Sequence, residues 1–118
     1  MNYVDAFVVP VPKKKLEAYK KMATKMSKLC RKYGALKYVE AVADDVKMGK
    51  VTSFPRSVKR KASETVVFAY VVYKSRAHRD SVNAKVMKDP AVKEMCSKPM
   101  PFDGMRMFWG GFKAIVEA

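Results

Sequence analysis

The chain has 118 residues, a length that suits a single domain spanning residues 1–118 around one core. Its hydrophobic share of 49% is that of a folded protein rather than a disordered one, and no apolar run approaches the ~20 residues that cross a bilayer. Lys plus Arg number 25 against 11 Asp plus Glu, a formal charge of +14. A net charge of magnitude ~2–8 is enough to keep a small domain soluble, so the excess invites a polyanionic partner.

The chain starts MNYVDAFVVPVPKKK, with its positive charge after the apolar stretch. A secretory signal has the reverse order, so a cytoplasmic protein is expected, with no membrane insertion. Residues 3–9, YVDAFVV, are rich in β-branched and aromatic types and are closed by Pro10 and Pro12, which predicts a first strand. Residues 13–33 predict a helix. Leu16, Tyr19, Ala23, Met26, Cys30 and Tyr33 recur at alternating steps of three and four, a stripe that faces a core, and Gly34 is a natural stop. The opposite face carries Lys20, Lys21, Lys25, Lys28 and Arg31.

Residues 35–43, ALKYVEAVA, return to two-residue alternation, with Leu36, Tyr38 and Val42 set against Lys37, Val39 and Ala41, and predict a second strand. Residues 44–63 are a polar connection with Gly49, Pro55 and the basic run Arg56 to Lys61, with extended structure expected at Val51 to Phe54. Residues 65–73, TVVFAYVVY, are apolar on both alternating faces, the pattern of a central strand covered on both sides. Ser75 is placed to cap a helix from Arg76 to about Lys88 with His78, Val82 and Val86 on one face. Asp89-Pro90 breaks it, and Ala91 to Cys96 form a short extra turn with Val92 and Met95 inward. Residues 105–116 predict a last strand.

The order β-α-β-β-α-β predicts an α+β, ferredoxin-like fold: a four-stranded antiparallel sheet with helices on one face. The other face of such a sheet would stay bare. It would show half of Val66 to Tyr73 and half of the apolar residues near Phe108, Trp109, Phe112, Ile115 and Val116. So large an apolar patch predicts a homodimer packed sheet to sheet. A monomer using that face as a ligand or RNA platform is the alternative.

The blocks YVDAFVVPVP, VADDVKMGKVTSF, ETVVFAYVVYKSRAHRDSVNAKVM and MPFDGMRMFWGGF together resemble the YbaA-like family of short bacterial proteins, a domain of unknown function. The resemblance covers nearly the whole chain and implies a dimeric α+β barrel with no established activity. Ala6 stands where the family usually has glycine, and the surface is more basic than the family's. Proteins with that barrel include heme-free monooxygenases and small-molecule isomerases or lyases that hold ligands in a pocket between sheet and helices, which is analogy at the level of fold.

Candidate chemistry is sparse. His78 is the only histidine and can serve as a general acid or base if it lines a pocket, or sit hydrogen-bonded at the domain edge. Glu40, Asp44 and Asp45 form an acidic group at the end of the second strand that could bind a cation, or pair with lysines. Arg76, Arg79 and Asp80 open the second helix, where an ion pair is the plainer role than anion binding. Gly110-Gly111 inside a strand marks a bulge or a close approach. A ligand there would have Tyr70 or Trp109 as a wall and His78 and Arg106 as reactive groups; otherwise the glycines make room for protein. Cys30 and Cys96 read as reduced core thiols, and no metal or cofactor motif is present.

Two functional readings stand above a purely structural role. One is a homodimer with a small apolar pocket that binds or converts a small organic molecule without a cofactor. The other is sequence-blind binding of RNA or DNA through Lys20, Lys21, Lys25, Lys28 and Arg31 of the first helix and Arg56, Lys59, Arg60 and Lys61 of the central loop. Reading RNA through the sheet is disfavoured, because the third strand lacks the glycine and basic residues of the RNA-recognition module.

Overall fold

The computed structural model describes residues 1–118. Strand β1 (Tyr3–Pro12) runs through one 3-10 turn of three lysines into helix α1 (Leu16–Lys32); β2 (Lys37–Val42), a one-turn α2 (Phe54–Ser57), β3 (Glu64–Tyr73), α3 (Arg76–Lys88), α4 (Pro90–Cys96) and β4 (Phe108–Lys113) follow. The four strands form one antiparallel sheet in the order β2-β3-β1-β4. This is the ferredoxin-like α+β arrangement, with its two split β-α-β units. No helix is long and apolar enough to cross a membrane.

Local chemistry sets the element ends. Gly34 adopts φ +118°, a conformation a side chain would resist, and stops α1. Ser75 Oγ accepts a hydrogen bond from His78 N at 3.1 Å and caps α3. Asp89 Oδ1 accepts from Ala91 N at 2.9 Å and caps α4 immediately after α3 ends. Val51 to Phe54 do not form the expected extended segment. Ser53 instead caps α2, with Pro55 in its first turn, where the missing N–H costs nothing. The last strand is shorter than its apolar pattern predicts, Phe108 to Lys113 rather than 105–116. Asp103 Oδ1 and backbone carbonyl close a turn on Met105, Arg106 and Met107, and pairing to β1 begins only at Phe108.

The two faces of the sheet differ sharply. Tyr3, Asp5, Phe7, Val9 and Val11 of β1 share a face with Val67, Ala69, Val71 and Tyr73 of β3, in the register Asp5↔Val71 and Phe7↔Ala69. Helix α1 packs on this side through Tyr19, Ala23 and Cys30, and α3 and α4 through Val82, Val86 and Val92. The opposite face carries Val4, Ala6 and Val8 beside Phe68, Tyr70, Val72 and, on β4, Phe108 and Phe112. The segment between β2 and β3 covers part of it, Val58 and Ala43 against Val8 and Val66, and Phe54 edge-on against Phe68 at 6.2 Å. Within one chain Phe68, Phe108 and Phe112 are therefore exposed, Phe112 to 60%.

Candidate functional site

Between the sheet and its helices lies a cavity of about 450 Å³. Its floor follows one register row: Glu40 on β2, Ala69 on β3, Phe7 on β1 and Trp109 on β4 are lateral neighbours. Alanine at the centre of that row keeps the floor low, and Ala23 does the same for the roof on α1. Met22, Met26, Met87, Met100 and Met107 fill the remaining walls with flexible apolar side chains that can adapt to a guest. Trp109 stacks on Phe7, with ring centroids 5.9 Å apart and planes inclined by 22°. A second recess of about 440 Å³ lies toward α1 and β2 and shares Tyr19, Ala23, Tyr38 and Glu40 with the first.

Two carboxylates face this interior. Glu40 accepts hydrogen bonds from the hydroxyls of Tyr19 and Tyr38, the latter at 2.7 Å. Burial, then the charge of Glu40, raises both phenols far above their ordinary range, so they remain donors. Asp5 is 2% exposed. Its Oδ1 makes no hydrogen bond, and the nearest cation is Arg79, whose Nε lies 3.7 Å away. Burial raises the Asp5 carboxyl above its ordinary value, and Arg79 opposes that shift. Tyr73 donates to Asn83 Oδ1 at 3.2 Å beside it. Burial also raises the Cys30 thiol, to about 11, so at neutral pH it packs as an apolar group.

The residues singled out by sequence divide between this cavity and other places. Trp109 lines it. Tyr70 does not: it falls one position out of register, on the opposite face of the sheet, beside Phe68. His78 sits at the start of α3, where its Nδ1 accepts from Lys74 N at 2.9 Å and its ring meets Tyr73 edge-on. It is the edge histidine rather than a cavity group. Arg106 is likewise committed to structure. It holds Glu64 through two hydrogen bonds of 2.6 and 2.9 Å, Asp103 through one of 2.8 Å, and the carbonyls of Val58 and Lys59.

The glycine pair divides between the two faces. A Cβ on Gly111 would overlap the Tyr3 hydroxyl and come within 2.8 Å of Arg79 Nη2, so this glycine makes room for protein and not for a ligand. Gly110 faces the other side, where a methyl group would touch only the Phe112 ring.

The basic residues fare differently by type. Lys20, Lys21, Lys25 and Lys28 are exposed on the outer face of α1, and Lys59 and Lys61 on the central loop. Lys59 adopts φ 49° at the end of α2. The arginines are tied to backbone. Arg31 donates to the carbonyls of Ala35 and Leu36, Arg56 to those of Met48 and Gly49, and Arg60 to those of Lys61 and Glu64. Each arginine uses one nitrogen this way, which fixes the guanidinium against the loop and leaves its other N–H groups without a protein partner. Asp44 and Asp45 lie in the exposed loop after β2, apart from Glu40, so the acidic trio does not assemble.

Asp5 was not anticipated as a cavity residue, and Glu40 was expected elsewhere. Both carried a signal. Asp5 stands in the helix-facing register of Tyr3, Phe7 and Val9, and Glu40 in that of Tyr38 and Val42. A carboxylate in an otherwise apolar alternation is a buried charge, and buried charges need a partner or a purpose.

A family model described as protein of unknown function (DUF1428) matches residues 2–104. The chain is 49% identical over 117 residues to the uncharacterized protein YbaA of Escherichia coli K12, across 99% of both chains, and equally to YbaA of Shigella flexneri. Its fold is similar to the crystal structure of a dimeric ferredoxin-like protein from an uncultured marine organism, with TM-score 0.56 and 14% identity over the full length of both. The chain belongs to the DUF1428 family of YbaA and its relatives.

Proposed function

We propose that the protein is a homodimer that binds a small, predominantly apolar organic molecule in the cavity between sheet and helices of each subunit. One observation carries this reading. The interior holds about 450 Å³ of space with seventeen hydrophobic residues among the twenty that line it, a size and character suited to a small ligand.

The dimer rests on the other face of the sheet. Phe68, Phe108 and Phe112 are exposed there beside Tyr70, and a two-fold partner would cover them. The ferredoxin-like protein of similar fold is itself dimeric, which supports the same arrangement here. Two free cysteines suit a reducing compartment such as the cytoplasm.

The sole tryptophan of the chain is Trp109, and it lines the cavity. Its emission therefore reports occupancy. Native mass spectrometry of the protein as purified is expected to show a dimer, with a small-molecule adduct or with adducts gained from an apolar panel, accompanied by a saturable change in emission. A dimer that takes up nothing from the panel would overturn the binding reading. Phe112→Glu is expected to give a folded monomer in sedimentation; a dimer that survives it places the interface elsewhere.

A further inference from the structure

The ionisable residues of the cavity are unlike those of the chain that surrounds it. Lys and Arg make up 25 of the 118 residues, yet none of the twenty lining residues is basic. The lining holds two carboxylates, Asp5 and Glu40, together with the electron-rich rings of Phe7, Tyr19, Tyr38 and Trp109. Arg79 is the nearest cation, and it is turned to other work. Its Nη2 donates to Tyr3 Oη at 3.1 Å, its Nε faces Asp5 at 3.7 Å and Asp80 at 3.3 Å, and its guanidinium lies over the Tyr3 ring and, at 5.9 Å, over that of Trp109, which leaves Phe7, Tyr19 and Tyr38 as the rings open to a guest cation. Asp5 Oδ1 has no hydrogen-bond donor, although the side chain is almost fully buried.

From this we infer, building on the binding reading above, that the cavity takes small apolar molecules whose head group is a hydrogen-bond donor without negative charge, an amine or a hydroxyl, and rejects carboxylates and phosphates. An ammonium or hydroxyl brought inside finds carboxylate oxygens to accept its hydrogen and, for the cation, aromatic faces beside it. An anion would leave water to meet two negative side chains and no basic lining residue, and the amide of Asn83, the lining donor beside Asp5, is the one group there to replace its hydration. The Tyr19 and Tyr38 hydroxyls do not supply another donor, because both already point at Glu40. The selectivity is the reverse of the outer surface, whose charge of +14 draws anions in. The field that concentrates acidic molecules around the protein does not admit them.

The test uses three molecules of one chain length: octylamine, octanol and octanoate. Each is titrated into the intact protein with Trp109 emission and calorimetry as readouts, at about 0.3 M salt so that surface binding of the anion is screened. The expected result is saturable binding of the amine and the alcohol, with octanoate weaker by at least about tenfold. Glu40→Gln and Asp5→Asn, each checked for a cooperative melt, are expected to narrow that gap several-fold by removing the negative charge. Octanoate binding as tightly as the amine overturns the selectivity and leaves the cavity reading standing. A gap unchanged in both variants overturns it too, because the carboxylates would not be its cause. Failure of all three molecules to bind removes the cavity reading along with the selectivity.

Discussion

Asp5 Oδ1 and Arg79 Nε stand 3.7 Å apart in the interior, too far for a hydrogen bond, and neither atom makes one elsewhere. The pair is an incomplete buried ion pair. Burial of this kind costs several kcal/mol per ion unless hydrogen bonds repay it. Here the repayment is partial, and the carboxyl of Asp5 is raised above its ordinary value by burial in spite of the guanidinium.

The sign of that shift makes a prediction. A carboxyl raised in the folded state binds its proton more tightly there than in the unfolded chain, so its contribution to stability grows as pH falls through the folded value. It levels off below the ordinary value of 3.8. Asp5→Asn abolishes this gain. Thermal melts of both proteins between about pH 4 and pH 8 are expected to show wild type improving against the variant as the medium becomes acidic. A difference that shrinks instead would mean that Arg79 keeps Asp5 ionised.

Glu64 has the opposite sign. The two hydrogen bonds from Arg106, followed by the backbone N–H of Lys61, outweigh burial and hold its carboxyl below the ordinary 4.5. Its stabilisation is fully present above that value and is lost as pH falls through the depressed one. Glu64→Gln is therefore expected to lower the midpoint of thermal unfolding by several degrees at neutral pH, since Arg106 then tethers the turn before β4 through Asp103 and two carbonyls alone. The penalty should fade in acid. Ligand binding at neutral pH should persist in the folded fraction, because neither residue lines the cavity.

Gly111→Ala is expected to destabilise the protein by about 1–3 kcal/mol, the cost of forcing a packed site apart. The added methyl group meets the Tyr3 hydroxyl and Arg79 Nη2 and has to break the hydrogen bond between them. Gly110→Ala, whose methyl group meets only Phe112 at 3.7 Å, should be neutral or stabilising in the folding of a subunit. Chemical denaturation of the two variants separates them. Equal costs would show that the strand, and not the Tyr3–Arg79 contact, demands glycine.

That pair of glycines illustrates what could be read from sequence and what could not. Local periodicity was legible. The stripe from Leu16 to Tyr33 does face the core on α1, Ser75 does cap α3, and the alternation of Val66 to Tyr73 marks an interior strand with two apolar faces. Which face the helices cover is a property of chirality and packing, not of periodicity, so Tyr70 and Trp109 could be paired on paper while lying on opposite sides of the sheet. Partners far apart in the chain were also hidden. Arg106 looks reactive until Glu64, 42 positions upstream, closes on it. Glu40 looks like part of an acidic turn until its register with Ala69 carries it under α1.

Ala69 offers the most direct control over the cavity. It is the low point of the floor, 4% exposed, and it lines the larger cavity but not the recess beside β2. Ala69→Leu extends three carbons upward into empty space. Each buried methylene contributes about 0.8 kcal/mol, offset by the strain of fitting a larger side chain into a formed interior. The net change in stability is expected to stay within about 1 kcal/mol of wild type, because the space is already there. Binding should respond differently. A molecule seated between Ala69 and Ala23 loses its place, so its affinity should drop at least about tenfold. A cooperative melt near that of wild type, joined to loss of the Trp109 emission response, is the expected pair of results. Full binding in Ala69→Leu would move the ligand to the recess lined by Thr24 and Ser27. A large loss of stability would show that the floor has no room for a larger side chain.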